Sequence, residues 1–106
     1  MEQILAVVKR PSERAKLERI DNTLKAMQDL VGGHIECVTT NECVIICNED
    51  GIGMGLTRNC YYKGHMLFGV VVAVVAEGDE LAGLSLDAAA DIMLDLDYGM
   101  EIAKWM

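Results

Sequence analysis

The chain has 106 residues, just over half of them apolar, and a formal net charge of −8. That length gives a single domain, residues 1–106, able to bury a core without disulfide or metal staples, and the apolar share excludes intrinsic disorder. The acidity argues against nucleic-acid or anionic-membrane binding, since those contacts need Lys and Arg to displace counterions from phosphates.

Ile4-Leu5-Ala6-Val7-Val8 is apolar at every position, which suits a strand covered on both faces. Lys9-Arg10-Pro11 ends it. Ser12–Ile20 has helical propensity, yet a helix there would have no room to turn before the next one begins. It reads either way, and an extended piece over Lys16–Ile20 is the preferred reading. Asp21-Asn22-Thr23 is a helix-start signal, because these side chains accept hydrogen bonds from the first-turn N–H groups. Leu24, Met27, Leu30 and Val31 follow at helical spacing, and Gly32-Gly33 ends the helix.

His34–Thr39 and Cys43–Cys47 read as strands joined by the turn Thr40-Asn41-Glu42. Asn48-Glu49-Asp50-Gly51 is a strong turn signal, and 51–64 reads as irregular. Met66–Ala76 is expected to be one long central strand, with Gly69 marking a bulge. A loop follows over Glu77–Glu80. Ser85 caps the last helix, with Asp87 in its first turn and Leu86, Ala90, Met93 and Leu94 as its buried stripe. Asp97 would fall on that stripe, so a break is expected near Tyr98-Gly99, with a short second piece over Met100–Met106. The sum is an α+β fold: a mixed or antiparallel sheet of four to five strands with two helices packed on one face.

The apolar run behind the first residues is too short for a secretory signal. The longest apolar run, Met66–Ala76, is about half the ~20 residues of a membrane-spanning helix. A cytoplasmic location is therefore expected, with the four cysteines reduced.

Several residue sets could carry chemistry. Gly51-Ile52-Gly53-Met54-Gly55 invites a phosphate-loop reading, but no helical stripe follows it, so a glycine-rich turn is preferred. The cysteines form no C-x-x-C pair, and Cys43 and Cys47 would stand roughly 13 Å apart along a strand, so no metal and no cofactor is expected. Cys60 reads as lying in a polar loop near Arg58, Asn59 and His65, where cations could lower a thiol pKa. No nucleophile signature surrounds it, and a structural role is preferred. Asn48, Glu49, Asp50, Arg58 and Asn59 are the densest polar set. They could bind a small polar ligand if their two loops met. Asp87, Asp91 and Asp95 recur at i, i+4, i+8 and make one acidic helix stripe. That stripe is either an ordinary solvated face or a docking surface for a basic partner. Met100, Ile102 and Trp105 belong to an apolar tail expected to fold back on the core or bury itself in a homo-oligomer.

Read in order, Ile20-Asp21-Asn22-Thr23-Leu24, Leu30-Val31-Gly32-Gly33-His34-Ile35-Glu36 and Asn48-Glu49-Asp50-Gly51 resemble a family of small domains of unknown function found in bacteriophages, prophages and mobile elements of Firmicutes. The resemblance spans about residues 3 to 95. It departs in Gly53–Tyr62, where Arg58-Asn59 stands in place of the family's more usual Pro-Asn pair. It implies a bacterial or phage cytoplasmic protein and no particular activity.

Two functions are expected ahead of an enzyme. The first is a non-catalytic accessory protein that binds and blocks a host partner through its acidic C-terminal helix, in a possible anti-defence role. The second is a binder or sponge for a nucleotide-derived signal, using the Asn48–Asn59 loops.

Overall fold

The computed structural model describes residues 2–106. Ten elements follow one another: β1 (Gln3–Lys9), β2 (Lys16–Asp21), α1 (Leu24–Val31), β3 (Ile35–Thr39), β4 (Val44–Asn48), β5 (Arg58–Tyr62), β6 (His65–Phe68), β7 (Val71–Glu77), β8 (Glu80–Ala82) and α2 (Leu86–Ala103). The fold is α+β. Its main sheet runs β2-β1-β7-β4-β3, with β8 paired to β7, and every pairing is antiparallel. Six strands make it larger than the expected four to five. β8 enters where β1 and β7 part beyond the Val7–Ala73 pair, and the Leu84 N–H donates to the Leu5 carbonyl just after it.

The two helices occupy opposite faces, which corrects the expected one-face packing. Met27 and Val31 of α1 pack on Ala6, Val8, Val44, Ile46, Val72 and Val74. Ala89, Ile92 and Leu96 of α2 pack on Val7, Ile45, Cys47, Val71 and Ala73. The reason lies in the strands. Side chains alternate between faces, so a strand that is apolar at every position needs cover on both. Two helices on one side would have left half of β4 and β7 bare.

The expected long strand over Met66–Ala76 is two strands. Gly69, at φ +75°, carries the chain from β6 to β7. β6 pairs only with β5, in a two-stranded sheet. That hairpin helps to cover the α2 face through Cys60, Tyr62 and Leu67. Its first strand and turn fall within 51–64, where the sequence reads as irregular. Its turn is Lys63-Gly64, both at positive φ, as a two-residue type I′ hairpin turn requires.

Thr23 caps α1 by accepting from the Ala26 N–H, and Gly32 closes it at φ +79°. Ser85 caps α2 by accepting from the Ala88 N–H. α2 does not break at Tyr98-Gly99. Its buried stripe is Ala89, Ile92, Leu96, Gly99 and Ala103, while Leu86 and Leu94 of the expected stripe are 68% and 70% exposed. Asp97 sits beside that stripe and accepts the Ala15 N–H at 2.7 Å, so the continuous helix leaves no polar group stranded there. Among the described residues no helix is long and apolar enough to cross a membrane.

Candidate functional site

The structure divides the expected polar ligand set between two places. Asn48 ends β4, buried. Its amide nitrogen donates to the Val31 carbonyl, and its Oδ1 accepts the Asp50 N–H at 2.8 Å. The side chain thus ties the end of α1 to the Asn48–Gly51 turn. Glu49 and Asp50 are exposed beside it, in a cleft of about 320 Å³ that also includes Glu36, His65 and Phe68.

Arg58 and Asn59 line a different cavity. Asn59 is the extra residue of a β-bulge: Arg58 pairs with Phe68, but Cys60 already pairs with Leu67. A bulge re-aims one side chain. Here it turns the Asn59 amide inward, to donate to the carbonyls of Lys9 and Gly69, both at 2.7 Å. Both amides are engaged with protein groups, and the five residues do not converge on one ligand.

Cys60 lies within β5, fully buried, not in a polar loop. Burial pushes its thiol up to about 11, against a smaller opposing pull from Lys9. The thiolate is therefore scarce near neutral pH, which suits the structural role. Among the described residues no group of three His, Cys, Asp or Glu side chains could hold a metal ion.

The outward arc of α2 presents a different kind of surface. Asp87, Asp91 and Asp95 are all exposed, and none of the ion pairs among the described residues uses them. Leu94 and Tyr98, at 70% and 69% exposure, share that side of the helix. Between α2 and the turn before β4 runs a groove of about 400 Å³, lined by Glu42, Ala88, Asp91, Ile92, Leu94 and Asp95. Its walls are acidic and its floor is apolar. Lys63 is the nearby cation, and it is held by Glu42 at 2.8 Å. The sequence shows the carboxylates. The exposed Leu94 was hidden by its assignment to the buried stripe.

The apolar tail divides. Met100 is partly buried, and its Sδ accepts from Lys9 Nζ at 3.2 Å. Ile102 is half-buried, while Trp105 is 90% exposed.

Residues 2–96 match the family described as Domain of unknown function (DUF3846), and the chain belongs to that family. No curated protein and no solved structure matches the chain.

Proposed function

We propose that this member of the DUF3846 family is a non-catalytic binding module, which docks a basic segment of a protein partner along the outward face of α2. The observation that carries the reading is a pairing of features on one surface. Three carboxylates that form no ion pair among the described residues, Asp87, Asp91 and Asp95, lie beside Leu94 and a groove with an apolar floor. Carboxylates alone would make an ordinary solvated face. An exposed leucine beside them supplies the apolar contact that an interface core needs, while the charges speed encounter and select for Lys and Arg.

The occupant that fits is a Lys/Arg-rich amphipathic helix or strand with one apolar side chain for the groove. Masking such a segment would block its owner. An accessory role of that kind, in the cytoplasm and in the service of a phage or mobile element acting against host defence, is the setting that the family resemblance favours. Self-association through Trp105 and Ile102 is part of the same proposal, supported by the exposure of the indole. The five residues of the alternative nucleotide-sponge reading are divided between two cavities, so the α2 face is the preferred reading.

The test is affinity capture from a bacterial host lysate, followed by crosslinking. The expected result is a basic partner crosslinked to α2, released by high salt, and lost with Leu94→Arg and with Asp91→Asn/Asp95→Asn. A partner that both variants retain, or that crosslinks to another face, would sink the proposal. Light scattering of Trp105→Ser against the parent protein tests the self-association.

A further inference from the structure

Lys9 ends β1 with its side chain fully buried, beneath α2. A buried ammonium is costly unless an anion faces it. Here the three acceptors are the Arg10 carbonyl at 2.8 Å, Asn59 Oδ1 at 3.0 Å and Met100 Sδ at 3.2 Å. All three are neutral, and a thioether is a weak acceptor. Burial pushes the ammonium below its usual range; Cys60, Asp97 and Glu13 oppose this only through space, and Lys104 adds to it. Asp97 is already engaged by the Ala15 N–H and by Arg14.

Asn59 and Met100 also form part of the wall of a cavity of about 410 Å³, together with Ser12, Arg58, Ala103 and Lys104. Three of the nine Lys and Arg residues of an acidic chain thus lie in or directly behind one small volume. The cations at the mouth are lightly held. Arg58 donates to the Met106 carbonyl, and Lys104 pairs with the exposed Glu101.

Ser12 adds an independent observation. The turn Arg10-Pro11-Ser12-Glu13 closes with the Glu13 N–H on the Arg10 carbonyl, and Ser12 stands at φ +65°. The third position of a turn with positive φ ordinarily takes Gly or Asn. Ser12 is among the residues that line the cavity, so this position keeps a hydroxyl-bearing side chain where glycine would relieve the strain.

We propose that this cavity is an anion site for a phosphate group, gripped by Arg58 and Lys104 and hydrogen-bonded by Ser12, with Lys9 reached by displacement of Met100. The methionine side chain is unbranched and adaptable. When its sulfur swings aside, a phosphate oxygen takes its place, and the buried ammonium exchanges a weak neutral acceptor for a charged one. Three cations and a hydroxyl suit a dianion with several oxygens better than a single carboxylate. The site uses no residue of the α2 docking face, so either reading can fail alone.

The experiment is a nuclear magnetic resonance titration of the ¹⁵N-labelled protein with inorganic phosphate, with a nucleoside 5′-monophosphate and with citrate, at constant ionic strength. Saturable shifts are expected at Ser12, at 58–60 and at 100–104, with phosphate or its ester binding more tightly than citrate. Tighter binding of the ester would identify an esterified phosphate as the ligand, and equal binding a free one. Arg58→Gln and Lys104→Gln alter exposed side chains, and unchanged amide spectra away from the cavity should show that the fold is kept. Each should weaken binding at least about tenfold, the loss expected for one charge-assisted hydrogen bond. Shifts that never saturate, citrate bound more tightly than phosphate, or affinities unchanged in both variants would overturn the assignment.

Discussion

Gly99 of α2 lies directly against the main chain of Tyr61 in β5, where a Cβ would overlap the Tyr61 carbonyl oxygen. Glycine inside a helix is ordinarily a weakness, costing about 0.5–1 kcal/mol relative to alanine. Here the missing methyl group lets the helix and the hairpin approach closely enough to seal Cys60 and Leu96 from solvent. Gly99→Ala should therefore reverse the usual sign and destabilise the protein by about 1–3 kcal/mol, the range for overpacking a filled site. Urea unfolding measures it, and a stabilised variant would show that α2 sits further from β5 than described.

The same residue shows where sequence pattern stops being informative. Tyr98-Gly99 reads as a helix break because glycine disfavours helix. The contact that overrides this preference comes from a strand some forty positions earlier in the chain, and no local window contains it. The β5–β6 hairpin was missed for a related reason. Its turn is Lys63-Gly64, and lysine at φ +49° is not the Asn or Asp that signals a type I′ turn. Local rules do recover the caps at Thr23 and Ser85, the αL glycine at 32, the interior strands β1 and β4 and the Val-rich part of β7, since each depends on its own side chains. Helix placement required one more step, namely that strands apolar on both faces demand cover on both. For the candidate surfaces, the acidic stripe was legible, but Lys9 was not. It stands at the end of an apolar run, where a charge ordinarily marks the exit to solvent.

Ser12 offers a test of stored strain. A side chain in the left-handed region costs about 1–2 kcal/mol, and replacing it with glycine recovers most of that, less the extra chain entropy of the unfolded state. Ser12→Gly should raise stability by about 0.5–1 kcal/mol, a rise of several degrees in Tm for a domain of this size. Ser12→Ala keeps the Cβ and should give no such gain. Calorimetry of the two variants compares them directly. Equal values would mean that the turn is unstrained.

The four thiols should separate by reactivity. Cys37 is exposed on β3, while Cys43, Cys47 and Cys60 are buried. A colorimetric thiol reagent at pH 8 should titrate one cysteine promptly and the other three only on unfolding. The buried thiols also set an alkaline limit. Burial raises Cys47 and Cys60 from 9.0 to about 11 in the folded state. Below pH 9 both folded and unfolded chains keep these protons. Between pH 9 and 11 the unfolded chain releases them first, so stability is lost as pH rises through that window. Cys60→Ala should flatten that part of the stability–pH curve, at the cost of a small cavity. A slope identical to that of the parent protein would show that Cys60 ionises freely in the fold.

The carboxylates of α2 test whether the acidic face is kept for stability or for a partner. Asp91 lies one turn from both Asp87 and Asp95, and like charges at this spacing destabilise a helix by about 0.2–0.5 kcal/mol per pair. Asp87, in the first turn, gains from the helix dipole, but Asp91 and Asp95 lie beyond its reach. Asn and Asp have similar helix propensity, so Asp91→Asn/Asp95→Asn should stabilise the isolated protein by several tenths of a kcal/mol, and less in high salt. Denaturant titrations at low and high ionic strength give the sign. A surface that repels itself is hard to explain by folding alone. If the double variant were instead less stable than the parent, these side chains would be supporting the fold, and the case for a basic partner on α2 would weaken with them.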